Sequence, residues 1–237
     1  MRAAACIKND IRLQFRSRFY YIYFVVTIIY IVILLLISES ARNMLLPVII
    51  LTDPAVVGFL FIGGIVLLEK EDKTMQALFV TPLQIREYIL AKVVSLTLLA
   101  IAATLIIAVA ATGLSFNIAL LILGISLTSF FFTLIGFVAV SRFNALSDYV
   151  VFAGFGVTMV LLLPLLEYFG LFTTPVFYAF PTKASLLLLQ GVFKSQDLST
   201  VDLLYGILSL VVWTVLAYFW ASRSFARYFI LKADGGE

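Results

Sequence analysis

Histidine is absent from the 237 residues, and cysteine occurs once, as Cys6. The first absence excludes His-based metal sites, Ser/His and Cys/His nucleophile pairs, and His proton relays. The second excludes an intrachain disulfide framework and any multi-Cys metal site. Charge is scarce as well: Asp, Glu, Lys and Arg make up 12% of the chain against 63% hydrophobic residues, and the mean hydropathy is +1.14. That balance lies far from a soluble domain and defines a polytopic membrane protein. No Gly-x-x-x-x-Gly-Lys-[Ser/Thr] run occurs, so the chain does not cradle ATP phosphates in that manner. The net charge of +3 is explained by where the basic residues stand, and no nucleic-acid partner is expected.

What is present is a series of long apolar runs. A helix needs ~20 mostly apolar residues to cross a bilayer. Six stretches qualify: Phe19 to Ile37, Leu45 to Leu68, Val93 to Leu114, Ile118 to Val140, Tyr149 to Tyr168 and Leu203 to Ala221. The expected fold is an all-α membrane protein with six transmembrane helices. It comprises residues 19–237 as one six-helix transmembrane domain, preceded by an interfacial segment at 1–18. Thirteen of the sixteen Lys and Arg residues fall on one side of this topology, and Arg42, Lys183 and Lys194 fall on the other. The preference of basic loops for the inside places both termini in the cytoplasm.

Residues 1–18 hold Arg2, Lys8, Arg12, Arg16 and Arg18 against the single acid Asp10, with Ala4, Ile7, Ile11 and Phe15 at helical spacing. This describes an amphipathic helix on the membrane surface. Its basic residues serve either to anchor the chain on the positive side or to contact a partner. The following run has nearly full spanning length, so it reads as an uncleaved first span, not a signal peptide. Near the other end, residues 169–202 form the one long outer loop. The ten-residue apolar run Ala184 to Phe193 is too short to span and reads as a re-entrant or interfacial helix started by Pro181 and Thr182.

Asp53 is the one ionisable candidate inside the apolar runs, where an unpaired charge costs several kcal/mol. It lies roughly 22 Å along a helix from Leu68. Asp followed by Pro54 has the pattern of an N-cap before a first helical residue; the alternative is a place in the translocation path. In the fourth span, Ser126, Ser129, Thr133 and Gly136 share one small, hydroxyl-bearing face, which either packs closely against another helix or lines a path. Gly63 with Gly64, the alanines between Ala102 and Ala111, and Gly154 with Gly156 read as close-packing surfaces.

The stretch Glu69 to Lys92, EKEDKTMQALFVTPLQIREYILAK, carries eight charged residues between two uncharged runs. Glu69, Lys70, Glu71, Asp72 and Lys73 end the second span. Met75, Leu78 and Phe79 give an apolar edge to a short helix, and Thr81, Pro82 and Gln84 form a Thr-x-x-Gln capping box with Pro at the first helical position. The expected product is a short helix, a sharp turn and a helix entering the membrane.

This stretch resembles the segment between the second and third spans of type II ATP-binding-cassette exporter permeases. Within them, the run DPAVVGFLFIGGIVLLEKEDKTMQAL is similar to fluoroquinolone exporters. The resemblance implies that Glu69 and Glu71 belong to an acidic cluster before Thr74, that Met75 to Val80 is the coupling helix, and that Thr81 with Pro82 forms its closing turn. The family usually has Gly before the Thr, where this chain has Lys73. It further implies a permease of a prokaryotic plasma membrane, working as a homodimer or heterodimer with a second copy in membrane lipid. A separate cytoplasmic ATPase subunit would hold the ATP and Mg, this chain binding no cofactor. The cargo would be hydrophobic or amphipathic. Two readings of other classes stand beside it: an ion-coupled secondary transporter, and a membrane scaffold or assembly subunit without transport.

Overall fold

The computed structural model describes residues 7, 10–12, 14, 19–71, 84–193 and 199–234. Apolar runs in a medium without water must satisfy their own backbone groups, and helices do so within each segment. Accordingly, among the described residues there is no strand. The elements are α1 (Phe19–Leu36), α2 (Glu39–Val56), a π-helical turn (Val57–Phe61), α3 (Ile62–Glu71), α4 (Ile85–Thr112), α5 (Ile118–Val140), α6 (Leu146–Tyr168), a 3-10 turn (Pro175–Ala179), α7 (Pro181–Phe193) and α8 (Thr200–Asp234). Among the described residues, five helical stretches are long and apolar enough to cross a membrane: Glu39–Glu71, Ile85–Thr112, Ile118–Val140, Leu146–Tyr168 and Thr200–Phe225. The apolar helix in the first expected span is shorter, at Tyr20–Leu36.

Helix α5 is the centre of the bundle and is contacted by α2, α3, α4, α6, α7, α8 and the π-turn. Its start agrees with the sequence because Asn117 caps it, its side chain accepting from Leu120 N–H at 3.1 Å. Helix α4 turns out at Gly113, whose φ of 67° is a region L side chains rarely adopt. Arg42 then fastens this end: its guanidinium donates to Leu34 O at 2.8 Å and Ala111 O at 3.3 Å. A cation on two helix C-termini is favourable in hydrogen bonding and in dipole.

Two expectations are corrected here. The backbone is helical through Asp53 and Pro54, so Asp53 does not cap a helix that begins at Pro54. The irregularity falls later, in the π-turn, where Tyr149 Oη donates to Phe59 O and satisfies the carbonyl that the wide turn frees. Likewise α4 does not start at Pro82 with Gln84 inside its first turn. Gln84 is extended (φ −78°, ψ 144°) and is itself the N-cap, its N–H donating to Glu87 Oε2 at 3.1 Å. The acid three residues into the helix supplies both the reciprocal bond and charge complementary to the dipole.

The short outer helix is present, as α7, and begins at Pro181. It lies inside the bundle, not on its surface. Ala184, Leu186, Leu188, Leu189 and Val192 are buried. Val192 O meets Asn117 N–H at the end of α5, while Ser185 bonds Thr128 at 2.9 Å, about 16 Å further down α5. The helix therefore descends from one end of the bundle into its interior.

Candidate functional site

Among the described residues, two buried polar centres stand out in the apolar bundle. The first is at the end of the bundle where α3 stops and α4 begins. Lys92, only 1% exposed, projects from α4 and binds Asp10 Oδ1 at 2.7 Å and Glu69 Oε1. Tyr88, one turn earlier, donates to Glu69 Oε2 at 2.6 Å and stacks on Phe225 of α8, with ring centroids 5.6 Å apart. One turn later, Ser95 accepts from Gln14 Nε2 at 2.9 Å. The N-terminal segment, the end of α3, the first turns of α4 and the far part of α8 thus meet at one place.

Burial forces this pairing. An isolated ammonium in low dielectric is untenable, whereas two carboxylates give Lys92 its partners, and the Tyr88 hydroxyl satisfies the second oxygen of Glu69. The cluster has two acids to one base. Burial pushes the Asp10 carboxyl above the ordinary carboxylate range, against the pull of the Lys92 ammonium, and the Glu69 charge adds to the rise.

The second centre is Asp53, 2% exposed. Tyr23 Oη on α1 donates to Asp53 Oδ2. Thr104 of α4 is also fully buried, and neither its hydroxyl nor Asp53 Oδ1 makes a hydrogen bond of good geometry among the described residues. A carboxyl at this depth, with the Tyr23 and Thr104 hydroxyls as its neighbours, can hold a proton or receive a further donor.

The remaining sequence candidates divide clearly. Glu69 is buried in the ionic cluster and Glu71 is exposed at the end of α3. Thr74, Met75, Leu78, Phe79, Thr81 and Pro82 lie outside the described residues. Ser126 is half-buried and bonds Ile122 O at 2.6 Å. Ser129 accepts from Thr97 of α4 at 3.0 Å, and Thr133 sits against Gly58, where an added Cβ would come within 2.9 Å of its hydroxyl. At Gly136 a Cβ would come within 2.4 Å of Ile62, and at Gly63 within 1.8 Å of the Tyr149 ring. This face of α5 therefore packs against α4 and the π-turn. Gly154 and Gly156, by contrast, have open space where a Cβ would stand.

Sequence reading counted Lys92 only as one more basic residue and passed over Gln14, Tyr23, Tyr88 and Thr104. A signal existed for part of this. Tyr88, Lys92 and Ser95 fall at spacings of four and three, a polar stripe on an otherwise apolar helix, and Asp10 with Gln14 has matching spacing.

Long apolar crossings packed around α5 define a multi-pass α-helical membrane protein. The chain belongs to the fluoroquinolones export permease protein family, which it matches over residues 1–233. It is similar to the fluoroquinolones export permease proteins of Mycobacterium tuberculosis strains CDC 1551 / Oshkosh and ATCC 25618 / H37Rv, in each case 28% identical over 232 residues and 98% of both chains.

Proposed function

We propose that this chain is the membrane-spanning subunit of an exporter driven by a separate cytoplasmic ATPase, and that it carries an amphipathic drug-like cargo outward. In this reading α1 is the sixth crossing, and the Asp10–Lys92 end faces the cytoplasm. The segment at 72–83, with Thr74, Met75, Leu78, Phe79, Thr81 and Pro82, receives force from the ATPase. A second copy completes the path, and ATP with Mg stays on the partner.

The observation that carries this reading is the ionic cluster. The segment at 72–83 is flanked by Glu69 on one side and Tyr88 and Lys92 on the other, and these bind one another and Asp10. A push on a segment whose two roots are locked together moves α3 and α4 as one piece instead of bending a loop. The name of the family supports the direction of transport.

The test is co-expression with a P-loop ATPase encoded beside this chain. The ATPase is expected to co-purify, and Leu78→Asp with Phe79→Asp is expected to abolish both this and cargo-stimulated ATP hydrolysis. Wild-type association in the double variant overturns the coupling role of the segment. Asp53 favours a second reading, ion-coupled export. Uptake into inverted vesicles separates the two: the first requires ATP and survives a protonophore, the second is abolished by it.

A further inference from the structure

An apolar groove runs along the outside of the bundle between α5, α6 and α8. It consists of two adjoining hollows of about 420 and 220 Å³ that share Phe59, Ile135, Gly156 and Val160. One end is lined by Phe180, Pro181 and Trp213, and the other by Arg142 and Trp220. Arg142 follows the last turn of α5, next to Phe143, whose carbonyl accepts from Lys70 at 2.9 Å. The Arg142 end is therefore at the same end of the bundle as the Asp10–Lys92 cluster. Arg223 and Arg227 stand one and two turns beyond Trp220 on α8, and both are exposed. None of the three arginines forms an ion pair among the described residues.

We propose that this groove binds one anionic phospholipid, its acyl chain lying against Phe59, Phe152 and Trp220 and its phosphate held by Arg142 and Arg223. Length and charge both fit. From Arg142 to Phe131, at the far end, is about 16 Å along α5, roughly the depth of one leaflet of a ~30 Å hydrocarbon core. Arginine at an apolar mouth is suited to bidentate capture of a phosphate, and basic pockets between helices favour anionic over zwitterionic headgroups. The aromatic Trp220 sits at the boundary where such rings prefer to lie. The inference does not depend on what powers transport.

The test measures lipid retention on the purified full chain by native mass spectrometry, with phosphatidylglycerol and phosphatidylcholine of identical acyl chains. Phosphatidylglycerol is expected to be retained at least fivefold better, and Arg142→Gln with Arg223→Gln to remove that preference. Inorganic phosphate at equal concentration is not expected to compete, because the chain of the lipid supplies most of the contact. Gly156→Leu, which fills open space in the groove, is expected to reduce retention of both lipids at an unchanged melting temperature. Equal retention of the two lipids, a preference that survives the arginine replacements, or full competition by phosphate overturns the proposal. So does a Gly156→Leu variant that retains lipid as before while its oligomeric state changes, since a second copy would then be the occupant.

Discussion

The Lys92 ammonium lies 2.7 Å from the Asp10 carboxylate across 82 residues of chain, at a site only a few per cent exposed. A contact of that span ties a segment outside the crossings to a helix inside them. It also makes the second acid of the cluster, Glu69, a structural partner as much as a candidate for coupling.

The two ends of this pair are not equivalent. Lys92→Met leaves two buried carboxylates facing each other and is expected to cost about 3–5 kcal/mol, read as a lower melting temperature in detergent with earlier proteolysis at residues 1–18. Asp10→Asn leaves one acid and one base and is expected to be neutral or stabilising at pH 8.

The same asymmetry sets a pH dependence. Because the Asp10 pKa is raised in the folded state, its contribution is fully present below the unfolded value of ~3.9 and is lost as pH rises through the folded value. The wild type is expected to lose thermal stability as the pH is raised from the ordinary carboxylate range through that folded value, and Asp10→Asn to show a flatter profile. A steeper profile in the variant would refute the sign.

At the second centre, Tyr23→Phe removes the hydroxyl that donates to Asp53 and is expected to cost about 1–3 kcal/mol. Asp53→Asn keeps an acceptor for Tyr23 and is expected to hold stability within about 1 kcal/mol. If export by Asp53→Asn stays within twofold of wild type, the carboxyl serves packing alone. A loss of tenfold or more at normal stability places its charge in the transport cycle.

Glycines of the same appearance in sequence are expected to behave oppositely. Gly63→Ala drives a methyl into the Tyr149 ring and should cost about 1–3 kcal/mol. Gly154→Ala meets nothing and should gain up to ~1 kcal/mol from helix propensity. Melting temperatures of the two single variants decide this.

The apolar runs made the crossings legible, and α5 most of all, since Asn117 marks its start and nothing inside the run competes with a helix. Where polar residues flanked a run, local signals misled. Asp53 and Pro54 look like a cap, yet the helix continues because Tyr23 holds the carboxyl from a neighbouring helix. Thr81 and Gln84 look like a capping box, yet Glu87 selects Gln84 as the cap. Periodicity showed only a part of the ionic cluster, the stripe Tyr88, Lys92 and Ser95, because its members come from three separate segments and only burial brings them together. Gly154 and Gly156 resembled the packing glycines because sequence shows the absence of a side chain but not what stands opposite it.

The π-turn at Val57–Phe61 has a rotational consequence. At ~100° per residue, Asp53 and Gly63, ten residues apart, would lie about 80° from each other on an unbroken α-helix. One extra residue taken up in the wide turn sets them about half a revolution apart. The upper half of this crossing can then address Tyr23 on α1 while the lower half addresses Tyr149 on α6, on the opposite side. Closing that turn into regular helix would swing the lower half by about 100° and carry Glu69 with it. A change in one turn would thereby be felt at the ionic cluster as torsion.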